Sequence, residues 1–133
     1  MMRWQGTTLV DAPTPASVTD GVLEFGRHRL RFVSEDPTDV RAVDPEGRAF
    51  RLRATGLTVA RYEAQCDTRT YTARRTSGKR REIARADGTI AATTHGRPDG
   101  SLDVTPRGEL TLDLVFISWA LTYVDTPTRR MRY

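Results

Sequence analysis

LTLDLVFISWALTYV, residues 110–124, is the only long apolar run in this 133-residue chain, and it comes after some eighty residues that read as short strands. Leu110, Leu114, Ile117, Leu121 and Val124 recur at steps of three and four, the spacing of one helical face. Leu112, Val115, Phe116, Trp119 and Tyr123 cover most of the remaining circumference. A helix apolar nearly all round must be enclosed on nearly all sides. At about fifteen residues it is shorter than the ~20 needed to span a bilayer, and Asp113 and Ser118 interrupt it. The run therefore predicts a helix enclosed by β-structure.

The preceding residues supply the enclosure. Asp44-Pro45-Glu46-Gly47 is a turn, and Ser77-Gly78, Asp87-Gly88 and Pro98-Asp99-Gly100 repeat the signal at hairpin spacing. Between them, alternation marks half-buried strands. Leu30 and Phe32 oppose Arg29 and Arg31; Phe50 and Leu52 oppose Arg51 and Arg53; Leu102 and Val104 oppose Ser101, Asp103 and Thr105. In 57–66 the pattern leaves two registers open, with either Leu57 and Val59 or Ala60, Tyr62 and Ala64 inward. Strands are expected at 3–10, 21–25, 27–33, 38–43, 48–54, 57–66, 68–75, 80–86, 89–94 and 101–105. The fold class is mainly β: an antiparallel meander closing into a barrel of about ten to twelve strands around one buried C-terminal helix. The whole of 1–133 reads as one domain, with an N-terminal strand and linker at 1–20, strands over 21–106, the apolar helix at 108–124 and a polar tail at 125–133.

A β-meander with basic hairpins, then Glu109-Leu110-Thr111-Leu112-Asp113-Leu114 running into Phe116-Ile117-Ser118-Trp119-Ala120-Leu121, resembles the tubby C-terminal-like superfamily, which includes the LURP-one-related proteins and phospholipid scramblases. The resemblance covers roughly residues 21–124 and lies in element order and helix character. It implies a closed barrel of about twelve antiparallel strands around a hydrophobic C-terminal helix. Tubby proteins bind phosphoinositide head groups through lysine and arginine, but none of those positions transfers residue by residue to this chain.

Composition agrees with a single globular domain: 38% hydrophobic and 29% charged residues leave room for a core and argue against disorder. The start, MMRWQGTTLV, has no apolar segment of signal-peptide length, and the single Cys66 forms neither an internal disulfide nor a cysteine metal site. Both point to a reducing cytoplasm. The net charge is +4, and Lys79 is the sole lysine among 21 cations. Arginine excess follows from GC-rich codon usage or from selection for bidentate anion contacts.

Signals for catalysis are thin. His28 and His95 are the only histidines, and no HExxH, CxxC, GxSxG or phosphate-loop pattern occurs. His95 reads as an exposed loop residue and His28 as structural. Cys66 reads as a small buried hydrophobe. Asp44, Asp87 and Asp99 have local roles in turns. No metal or cofactor is called for.

The densest cationic feature is the hairpin at 74–81, where Arg74, Arg75, Lys79, Arg80 and Arg81 flank a tight turn. They form the candidate anion-binding site, against the alternative of a solubilising hairpin. The first functional reading is a non-catalytic tubby-like binding or scaffold barrel engaging an anionic membrane surface, its lipid head groups, or a protein partner. A basic nucleic-acid-binding barrel ranks second, because Tyr62 and Tyr71 make a poor stacking platform. A lipocalin-type small-ligand barrel ranks third, because a helix inside the barrel would fill its cavity. The sequence does not indicate oligomeric state.

Overall fold

The computed structural model describes residues 1–56 and 60–126. Twelve strands precede one helix. In chain order they are β1 (Met2–Gln5), β2 (Thr8–Val10), β3 (Ala16–Thr19), β4 (Val22–Phe25), β5 (His28–Asp36), β6 (Asp39–Val43), β7 (Ala49–Ala54), β8 (Arg61–Cys66), β9 (Arg69–Ser77), β10 (Arg80–Arg85), β11 (Ile90–Gly96) and β12 (Leu102–Pro106), followed by α1 (Leu112–Asp125). Each strand pairs antiparallel with its successor, and β1 pairs with β12, so the meander closes on itself. Closure leaves no sheet edge to template aggregation.

Two strands exceed the ten expected. The stretch 3–10 is broken by a turn at Gly6, whose φ of 59° is left-handed, and becomes β1 and β2. The expected linker contains β3, because Ala16 and Val18 turn inward beside Leu9, Leu23 and Phe25. Pro13 and Pro15 lie in the bend before this strand. In β8 the second register holds: Tyr62, Ala64 and Cys66 are buried, while Leu57 and Val59 lie outside the described residues. Gly47, Gly78, Gly88 and Gly100 all have positive φ at the turns joining successive strands.

The helix begins later than expected. Thr111 caps it, its Oγ1 accepting from the Leu114 N–H at 3.3 Å, and Leu110 is buried before the first turn. It also ends later, at Asp125, so Asp125 and Thr126 belong to the core and not to a polar tail. The remainder of that tail, 127–133, lies outside the described residues. Every residue of α1 except Leu112 and Val124 is buried. It touches β4, β7, β11 and β12, which lie on different sides of the barrel. No described helix is long and apolar enough to cross a membrane.

Packing around α1 is aromatic. Trp4 is fully buried, donates from Nε1 to Ser118 Oγ at 2.9 Å and meets Trp119 edge to face at 5.0 Å. Phe116 stacks on Phe32 and meets the Phe50 edge. Trp119 donates to Tyr123 Oη, which donates to Glu35 at 2.6 Å. Gly96 faces the end of α1: a Cβ there would lie 2.8 Å from the Asp125 carbonyl oxygen. The helix approaches β11 that closely because Gly96 carries no side chain.

Candidate anion-binding end of the barrel

The two ends of the barrel differ in what surrounds α1. At the end where the helix starts, Asp113 accepts from Arg69 Nε at 2.6 Å and Nη2 at 3.0 Å, and from Tyr71 Oη at 2.5 Å. Burial and the bond to Asp113 push the Tyr71 phenol up. That hydroxyl is a fixed donor. Cys66 packs nearby, fully buried, and burial followed by the Asp113 charge pushes its thiol well above the ordinary range. A thiol held protonated is not a nucleophile.

At the other end lies the β9–β10 hairpin, and the structure divides its five cations into two groups. Arg81 stands two residues before the buried Ile83, so alternation turns both into the barrel. Its side chain is fully buried, bonded to Asp125 at 2.7 Å and 3.1 Å, with the guanidinium 5.2 Å from the centre of the Tyr62 ring. Arg81 therefore ties the helix to the barrel, and the surface anion site expected there does not include it. Arg74, Arg75, Lys79 and Arg80 are exposed. Arg74 lies between Arg61 and Glu82 in the ladder and donates to Glu82 Oε1 at 3.0 Å. Arg61, Arg75, Lys79 and Arg80 make no ion pair among the described residues.

The same end holds a cluster that the sequence did not bring together. Asp103 is the second residue of β12, on the outer face, opposite Arg3 of β1 and His95 of β11. It is nearly buried beneath two arginines, with Arg3 Nε at 2.8 Å from Oδ1 and Arg97 Nη2 at 2.6 Å from Oδ2. Burial opposes its ionisation, but the hydrogen bonds from Arg3 and Arg97 outweigh that and hold its carboxyl below the usual range. The expectation of an exposed loop for His95 fails. It lies in β11, half-buried, directly opposite Arg80. Partial burial, then Arg80 and Arg97, lower its basicity against the opposing pull of Asp103. The alternation of β11, which buries Thr94 and places His95 on the opposite face, was the available signal.

Asp44, Asp87 and Asp99 take the local roles expected of them, each accepting from backbone N–H groups of its own turn. No family model, curated protein or solved structure matches this chain.

Proposed function

We propose that this chain is a non-catalytic, tubby-like binding barrel of the cytoplasm, which meets an anionic membrane surface through the end carrying the β9–β10 hairpin. The observation that carries this is the surplus of cations there. Arg75, Lys79 and Arg80 are exposed at the hairpin turn with no carboxylate partner among the described residues, and Arg61 lies beside Arg74 in the ladder. Each such cation contributes about 1 kcal/mol close to an anionic leaflet. The closed twelve-stranded barrel around a C-terminal helix supports the tubby-like element of the reading.

Other features favour a charged lipid surface over the alternatives. Tyr62 is buried against Arg81, and Tyr71 lies at the opposite end of β9, bonded to Asp113, so the two form no stacking platform beside the hairpin turn. Met1 and Val33 are the only large hydrophobic side chains exposed among the described residues, which gives a protein partner little apolar surface. The barrel interior is occupied by α1, which disfavours an enclosed small ligand.

The test is co-sedimentation with vesicles containing phosphatidylserine, comparing wild type with the Arg75→Gln/Lys79→Gln/Arg80→Gln triple variant. Arg81 is left unchanged, since replacing it would test the fold. Wild type should bind at low salt and release as salt shortens screening to about 8 Å near physiological ionic strength. The triple variant should not bind, and its melting temperature should barely change, because exposed charges contribute within about 0.5 kcal/mol each. Wild-type protein that ignores the vesicles at low salt overturns the reading.

A further inference from the structure

We propose that Arg80, His95 and Arg97 form a phosphomonoester site in a hollow of about 350 Å³ on the outer face of β10, β11 and β12. This rests on the reading above that the hairpin end meets anions, and it assigns one pocket and one ligand chemistry to that end. The ladder builds the site: Arg80 lies opposite His95, His95 opposite Asp103, and Asp103 opposite Arg3, in one row across four strands. Arg97 leaves β11 two residues after His95. Thr93 and Thr105, both hydroxyl-bearing, line the same hollow.

The charge pattern selects a dianion. The two carboxylates that face the hollow, Glu82 and Asp103, are already engaged, by Arg74 on one side and by Arg3 and Arg97 on the other. Arg97 is thereby held in place, while Arg80 has no carboxylate partner. With their partners included, five guanidinium groups (Arg3, Arg74, Arg80, Arg81 and Arg97) against three carboxylates (Glu82, Asp103 and Asp125) leave two positive charges, with an imidazole beside Arg80 and Arg97. A terminal phosphate carries close to two negative charges at neutral pH and three acceptor oxygens, which suits guanidinium, imidazole and hydroxyl donors together. A phosphodiester or a carboxylate has one charge and fewer acceptors.

His95 supplies the readout. Arg80 and Arg97 set positive charge beside it and Asp103 opposes them. Glu82, Arg81 and Met1 line the same hollow, and Arg3 follows Asp103 in the row. A phosphate bound among them offsets the arginines and raises the pH at which the imidazole protonates. Each unit of that rise is a tenfold tighter hold on phosphate by the protonated form.

The experiment follows both imidazoles by NMR through a pH titration, with inorganic phosphate or with sodium chloride at equal ionic strength. His28 heads β5 at the other end of the barrel and serves as internal control. Phosphate should raise the His95 midpoint and leave His28 unchanged, while chloride should move neither. Arg80→Gln should raise the His95 midpoint without added anion and remove the response to phosphate. The Arg75→Gln/Lys79→Gln variant should keep that response. Vesicles containing phosphatidic acid, a phosphomonoester lipid, should move His95 as inorganic phosphate does if the ligand is a head group. A response to phosphate alone assigns the site to soluble phosphomonoesters. If wild type binds phosphatidylserine vesicles but His95 ignores phosphate, the pocket fails and the broader reading stands. If phosphate moves His95 equally in wild type and Arg80→Gln, the proposed site is wrong. If phosphate moves His95 but no vesicle binds, the pocket stands and the membrane reading fails.

Discussion

Both ends of α1 are tied to the barrel by an aspartate and an arginine, yet the two ties are physically different. At the start, Asp113 lies in the first helical turn, where the macrodipole favours a negative charge. Its partner Arg69 is half exposed, and Tyr71 shares the load. At the finish, Asp125 lies where the macrodipole opposes it, and it and Arg81 are sealed from water. The first tie adds to a charge placement the helix already favours. The second exists only because its partner is in place, so it dictates how deep the helix sits and which way β10 faces.

The largest expected effect comes from breaking the sealed tie. Arg81→Ala should cost about 3–5 kcal/mol in urea unfolding, because it leaves Asp125 buried without its main cation. Arg69→Ala should cost roughly 0.5–1.5 kcal/mol, since Asp113 keeps the Tyr71 bond and its N-terminal position. Replacing both partners, Arg81→Met with Asp125→Leu, should recover most of the loss, as apolar groups fill the space without desolvating charge. Equal costs for the two arginine truncations would erase the distinction between the ends.

The difference between the ends also explains what could be read from the chain. The enclosed helix was legible because its apolar residues cover the whole circumference, and only a surrounding sheet buries such a surface. The hairpins were legible from Asp44-Pro45-Glu46-Gly47 and its relatives, which are local chemistry. Arg81 was grouped with its neighbours by density of charge, although its two-residue spacing from Ile83 already placed it inward. Its partner Asp125 lies 44 residues away, and no local pattern links the two. The Asp103 cluster was hidden for the same reason: Arg3 is 100 residues distant and meets it only because the barrel closes between β1 and β12.

That closure gives the next effect in size. Asp103 is held ionised by Arg3 and Arg97 in the native state, so the folded protein binds its proton less readily than the unfolded chain does. The stability this contributes is fully present above the ordinary aspartate value of about 3.9 and is lost as pH falls through the depressed native value. Asp103→Asn should therefore cost roughly 1–2 kcal/mol at neutral pH and flatten the acid side of the stability–pH curve, measured as urea midpoints. A variant whose acid limb is as steep as that of wild type would show that the seam at the hairpin end does not draw on this charge.

The smallest effect belongs to the start of the helix. Thr111 Oγ1 accepts from the Leu114 N–H, and the Thr111 backbone is extended at φ −113° and ψ 164°, the geometry of an N-cap. Thr111 is exposed, so its loss removes one hydrogen bond without opening the core. Thr111→Ala should cost about 1 kcal/mol, and Thr111→Asp should restore or exceed wild-type stability by adding negative charge at the favourable end of the dipole. Unfolding midpoints of the three proteins measure this directly. A Thr111→Asp variant less stable than Thr111→Ala would mean that the Asp113 carboxylate two residues on already saturates that end. The start of α1 would then be limited by charge repulsion, and its tie to Arg69 would be a compensation like the one that Arg81 provides at the finish.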